Sequence, residues 1–188
     1  MTIRPLLLSL FVLLALAVSS RAADVDGVPF PEAQQIDGKV LRLNGAGSRT
    51  WSLLNIHIYV AGLYLEHPNR DPDAIIHSPE AKLLTFRFQR DIDADKAREA
   101  WRKELANNCP EPCRLDQADV ERFIAEVPPM HDGDCFELRF AGHTASISAN
   151  GRTLGIIDQP ALADALLAAF LGPKPGSPAL KQALLKGG

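Results

Sequence analysis

Apolar residues recur along this chain with a period of two in some short stretches and with a helical period in others. "KVLRLN" (39–44) reads as a short strand, which the glycine-rich "GAGSRT" turns into a longer strand over 50–65. In that longer strand Leu54, Ile56, Ile58 and Val60 fall on one face, and Asn55, His57 and Tyr59 on the other. A solvated sheet face usually carries Lys, Glu and Thr, so an Asn-His-Tyr row asks what it looks at. Gly62 marks a bulge or a close backbone approach. A connection rich in Pro and Asp follows, with room for one helical turn at 72–77. "LLTFRFQ" (83–89) then alternates again, with Leu84, Phe86 and Phe88 on one side.

The period changes at Asp93, a good N-cap for a helix whose stripe is Ala97, Ala100, Trp101 and Leu105. Asp116 caps a second helix, in which Val120, Phe123, Ile124 and Val127 keep the i, i+3, i+4, i+7 spacing until Pro128 and Pro129 stop it. Strands return at 134–140, 144–150 and 152–157, the last two flanking Asn150–Gly151, a hairpin signal because both residues tolerate positive φ. Pro160 opens a helix rich in Ala and Leu that Gly172 ends, and Ser177–Pro178 opens a short final one. Strands, two helices, strands and two helices predict an α+β fold, an antiparallel sheet with helices on one face.

The first 22 residues stand apart. One Arg precedes thirteen residues from Leu6 to Val18 that are apolar except for Ser9, and Ser20 and Ala22 follow in the arrangement signal peptidase prefers. The run is short for a membrane span, so residues 1–22 read as a cleavable signal peptide rather than an uncleaved anchor, with cleavage after Ala22. Residues 23–188, about 166 residues, then form a single domain in the periplasm or outside the cell, with no stable membrane insertion. Loss of Arg4 and Arg21 takes the formal charge from −3 to about −5. With no basic run, that balance argues against nucleic acid as a partner.

Export changes the reading of the cysteines. Cys109 and Cys113 in "NNCPEPCRL" are expected to close a short disulfide, leaving Cys135 free; Cys135 paired with either of the others is the alternative. C-x3-C without a second pair is not a zinc framework, and it is not the C-x2-C of a redox helix. His67, His77, His131 and His143 show no ligand spacing, and "GAGSRT" lacks what a phosphate loop needs, so neither metal nor cofactor is expected.

The ordered set of elements resembles the chalcone isomerase family, and within it an exported bacterial chalcone isomerase-like branch. "LNGAGSRTWSLLNIHIYVAGLYLE" (43–66) is similar to the family's opening segment, with an Arg after a glycine-rich turn and a strand closing on Gly62-Leu63-Tyr64-Leu65-Glu66. The middle helical pair, the hairpin in "ISANGRTLGII" and the closing "DQPALADALLAAFLGPKPGSPALKQALL" follow the same order, so the likeness runs from about Ile36 to Leu185. The resemblance implies an open-faced β-sandwich, a large antiparallel sheet under a helical layer with a cleft between them. It also implies one of three roles: ring closure of a chalcone without a cofactor, fatty-acid binding, or a non-catalytic helper function.

Carried over residue by residue, the resemblance places Arg49 at the turn Arg, with spacing to the Gly-Leu-Tyr-Leu-Glu string that differs by a couple of residues. Tyr59 falls where the enzymes place a Thr hydroxyl. The enzymes' catalytic Tyr has no counterpart, and Ala100, Trp101 and Arg102 stand around the position of their helical Asn. An Arg–Tyr pair in an apolar cleft suits a carboxylate, because a charge-assisted Arg contact is directional and strong when dry.

The candidate ligand-binding residues are therefore Arg49, Tyr59, His57 and Asn55, with Arg49 the candidate for any catalysis. For His57 and Asn55 the ordinary alternative is a polar strand residue satisfied by a neighbour. The expected partner is a small amphipathic or aromatic ligand. A carrier for a fatty acid or similar anion stands first, and a cofactor-free isomerase acting on an enone or phenol is the alternative. A partner-binding domain whose cleft is filled by Trp51 and Trp101 is a third reading. The sequence does not set the oligomeric state.

Overall fold

The computed structural model describes residues 23–51, 56–109 and 111–187. Its elements run β1 (Ala23–Val25), β2 (Val28–Phe30), β3 (Ala33–Ile36), β4 (Lys39–Trp51), β5 (Ile56–Leu65), α1 (Pro72–His77), β6 (Lys82–Phe88), α2 (Ala94–Asn108), α3 (Gln117–Glu126), β7 (Cys135–Ala141), β8 (Thr144–Ala149), β9 (Arg152–Ile157), α4 (Pro160–Leu171) and α5 (Pro178–Leu184). Strands β3 to β9 pair antiparallel in chain order as a seven-stranded sheet, and β1 and β2 form a separate hairpin. Asp26–Gly27, Asp37–Gly38 and Asn150–Gly151 all hold positive φ at both positions. That is the two-residue turn whose twist matches its strands. The first two pairs carry the same signal as Asn150–Gly151 and set β1 to β3.

The helices cover one face of the sheet. Helix α4 is apolar nearly all round, with Leu162, Ala163, Ala165, Leu166, Leu167, Ala168, Ala169 and Leu171 buried, so it sits at the centre of that layer. The α3 stripe Val120, Phe123, Ile124 and Val127 is buried as its spacing predicts. Asp116 caps α3 by accepting from the Ala118 and Asp119 amides. Asp93 stands at the α2 cap position, but its carboxylate meets Lys96 at 2.9 Å instead of the backbone. On the other face the β1–β2 hairpin lays Phe30 over Leu41, Val60, Tyr64 and Leu83 in a second, smaller core. A Cβ on Gly62 would sit 2.5 Å from the Phe30 ring, so the close approach there is that of a side chain, with neither a bulge nor another backbone at that position.

Two expectations are corrected. "GAGSRT" is not a turn but the interior of β4, and its glycines serve packing. A Cβ on Gly47 would come within 2.4 Å of the Ala183 Cβ, and α5 lies on the strand at the closeness those bare positions permit. The strand expected over 50–65 is likewise two: β4 ends at Trp51, β5 begins at Ile56, and the two run antiparallel. Leu54, Asn55 and the proposed signal peptide at residues 1–22 lie outside the described residues. Cys109 and Cys113 form a disulfide, and Cys135 is free. Among the described residues no helix is long and apolar enough to cross a membrane.

Candidate functional site

Strict alternation along β5 fails at one residue. Arg49 pairs with Tyr59 and Thr50 with His57, so Ile58 has no partner across the ladder. Such a bulge swaps the faces of the residues on its two sides. Tyr59 and Arg49 therefore point to the helical side. His57 points to the other, where its Nδ1 lies 2.8 Å from Asp26 Oδ2 at the tip of the β1–β2 hairpin. Of the four candidate ligand-binding residues, the structure brings together Arg49 and Tyr59 and places His57 behind the sheet.

Arg49 and Tyr59 open onto a cavity of about 510 Å³ between sheet and helices. Its floor is aromatic. Tyr59 meets Phe86 edge-on at 5.3 Å, Phe86 meets Phe170 at 5.1 Å, and Phe170 meets Trp101 at 5.6 Å. Phe88, Phe136, Val127 and Met130 extend the apolar lining. The α2 wall is held against α3 by Arg98, which donates to the Val127 and Ala125 carbonyls. Trp51 is 69% exposed and Trp101 packs edge-on against Phe123 and Phe170, so the two tryptophans line the cleft and leave its volume open.

One end of the cavity is polar. Besides Arg49 and Tyr59 it contains Glu104 of α2, a residue the sequence reading did not single out. Its signal was present, because Ala97, Trp101, Glu104 and Asn108 follow at helical spacing and put an acid inside an otherwise apolar stripe. Glu104 and Arg49 converge on Gly176. A Cβ there would lie 2.5 Å from Arg49 Nη1 and closer still to Glu104 Oε1. Asn108 fixes this wall: its side-chain amide donates to the Glu104 and Lys174 carbonyls, and its oxygen accepts from the Lys174 amide.

Burial dominates the electrostatics of this end. It pushes the Tyr59 hydroxyl up to about 12, against the charge and hydrogen bonding of the neighbouring Arg49 guanidinium. Tyr59 is therefore a neutral donor at every physiological pH. Burial also raises the Glu104 carboxyl above its ordinary value, against the pull of Arg49 and then Lys103. Its Oε2 is buried with no hydrogen-bond partner among the described residues. The Arg49 guanidinium, a phenol and a reluctant acid thus share the end of an apolar chamber, with Lys103 beside them on α2, an arrangement that can orient a ligand carrying an anionic oxygen.

The remaining candidates stay apart from this chamber. His67, His77 and His131 each lie beside a carboxylate, of Glu80, Asp73 and Asp91 respectively. Among the described residues no group of three or more His, Cys, Asp or Glu side chains is placed to hold a metal. Ala100 and Trp101 line the cavity, whereas Arg102 turns away to a two-pronged contact with Glu121.

No curated protein matches the sequence. Among solved structures, the crystal structure of a fatty-acid binding protein from Arabidopsis thaliana superposes with a TM-score of 0.71, at 17% identity, covering 85% of this chain and 92% of that one. At that identity the likeness is one of fold: a curled antiparallel sheet under a helical layer. A family model described as chalcone isomerase-like matches residues 22–186, the whole of the sheet and helices described above, and the chain belongs to that family.

Proposed function

We propose that this protein is a non-catalytic carrier that binds a fatty acid or similar amphipathic anion in the cavity between sheet and helices. The observation that carries the reading is the composition of that cavity. An aromatic and aliphatic chamber of about 510 Å³ ends on Arg49 and Tyr59, both supplied by paired strands. The volume lies within the range of small-molecule sites. Each methylene buried there contributes about 0.8 kcal/mol, so ten contribute roughly 8 kcal/mol before the costs of association. The tail supplies affinity, and Arg49 with Tyr59 fixes which end goes in. That a protein of the same fold is a fatty-acid binding protein supports the reading. So does the α2 wall, which presents Ala100 and Trp101 where the family's enzymes are expected to carry an amide. Export to the periplasm or outside the cell is part of the proposal, and the signal-peptide pattern of residues 1–22 supports it.

Native mass spectrometry of protein purified gently from a periplasmic fraction tests it, followed by denaturation to identify any released small molecule, with Arg49→Ala alongside. The expected result is a stoichiometric long-chain carboxylate in the parent protein and its loss from the variant. Protein that emerges empty and stays unchanged by added fatty acids overturns the proposal.

A further inference from the structure

Glu104 is out of place in a simple carboxylate site. It lines the polar end of the cavity with Arg49 and Tyr59, and Arg49 is the cation that acts most on its carboxyl, ahead of Lys103. A bound carboxylate would bring a second acid to the Arg49 guanidinium, beside a Glu104 oxygen that is itself buried. Two carboxyl groups sharing such a site do not both ionise. The Glu104 oxygen without a partner among the described residues is a group that can hold a proton and offer it to a ligand.

We propose that Glu104 is a third head-group residue and couples ligand binding to a proton: the carboxylate is held with Glu104 as the neutral acid, so one proton enters from solvent with the ligand and leaves with it. This rests on the carrier reading above. The balance is simple, with solvent H⁺ adding to the Glu104 carboxylate and no other bond made or broken. The acid then donates an O–H···O⁻ hydrogen bond, a strong contact in a dry site. Arg49 and the neutral Tyr59 hydroxyl supply the remaining donors. The other charged groups that face Glu104 are few. Lys103, its neighbour on α2, lines the same cavity, as do Lys96 and Glu99 further back on that helix. On the α4–α5 side Lys174 reaches it through a backbone clasped by Asn108, and Lys181 of α5 donates its ammonium to the Gly172 carbonyl. None of them replaces the missing donor to Oε2. For an exported carrier the consequence is regulatory, because acidic surroundings favour loading and alkaline ones favour release.

Isothermal titration of the full mature chain with dodecanoate tests this between about pH 6.5 and 8.5, in buffers of differing ionisation enthalpy, for the parent and for Glu104→Gln. The parent is expected to take up close to one proton per ligand at the alkaline end, with Kd rising by up to about tenfold per pH unit. Glu104→Gln, which keeps the shape of the neutral acid, is expected to take up none and to hold a flat Kd. 1-Dodecanol, which has no charge to share, is expected to bind the parent without a pH slope. Proton uptake unchanged in Glu104→Gln, or the same slope with 1-dodecanol, overturns the role of Glu104. PH-independent binding of dodecanoate by the parent sinks the coupling alone and leaves the carrier reading standing. Failure of dodecanoate to bind either protein at any pH sinks both.

Discussion

Arg49 and Tyr59 are directly opposed across the β4–β5 ladder, at the last regular pair before Ile58 goes unpartnered. Their side chains therefore share the helical face at a separation set by the strands. A bulge next to them turns the following residues to the other side. In the proposed carrier this pair would form the head-group site: two rigid strands hold the donors, and a local irregularity at the sheet's end keeps His57 out.

Tyr59→Phe tests the hydroxyl. The ring keeps its contacts with Phe86 and Phe88, so the melting temperature is expected to move little. The lost hydrogen bond to a charged ligand is worth about 1.5–3 kcal/mol, a tenfold to hundredfold loss in affinity for a long-chain carboxylate. Competition against a fluorescent fatty acid measures it. Unchanged affinity would remove Tyr59 from the site.

Gly47→Ala tests the seat of α5. The new methyl would fall 2.4 Å from the Ala183 Cβ, so helix or strand must shift, at about 1–3 kcal/mol. Thermal unfolding is expected to show a loss of several degrees. Gly155→Ala is the control, since its methyl would meet only the Glu126 side chain at 3.7 Å, an ordinary contact. Equal losses in the two variants would show that α5 does not depend on the bare strand.

Much of this was legible in the sequence because local rules and the global fold agree. The α3 stripe, the Asn150–Gly151 turn and the Pro160–Gly172 limits of α4 follow from spacing and turn chemistry alone. The glycine-rich stretch misled because glycine marks both turns and close packing, and only the partner shows which; here it is Ala183 across from Gly47. The face of His57 was misread because period two presumes an unbroken ladder, and Ile58 carries no sign of its bulge. Glu104 was missed for another reason. An acid on an amphipathic helix is normally solvent-facing, and what surrounds it comes from β4 and the α4–α5 connection, far off in sequence.

Asn44 joins three segments in one buried place. Its side chain donates to the Leu184 carbonyl at 2.8 Å and accepts from the Asn69 amide at 2.7 Å, while its own carbonyl accepts from Gly187. It is itself the unpaired residue of a β4 bulge between Leu43 and Gly45. Asn44→Ala leaves a carbonyl and an amide without these partners, a cost of roughly 1–3 kcal/mol. Hydrogen exchange is expected to quicken chiefly in α5 and around Asn69. A uniform change across the sheet would argue against so local a role.

Glu104→Gln also predicts a stability signature that needs no ligand. Burial raises the Glu104 carboxyl in the folded chain above its value in the unfolded one, and Arg49 only partly opposes this. A raised acid binds its proton more tightly when folded. Its favourable contribution is therefore complete below the ordinary carboxylate range and is lost as pH climbs through the raised value. Gln has the shape of the neutral acid and never ionises. The melting temperature of Glu104→Gln minus that of the parent is therefore expected to be small near pH 4 and to grow positive toward pH 8, other carboxylates cancelling in the difference. Circular dichroism melts of ligand-free protein at the two pH values decide it. A difference that stays flat, or turns negative at pH 8, would mean that the Arg49 charge outweighs burial and that Glu104 sits ionised in the empty cavity.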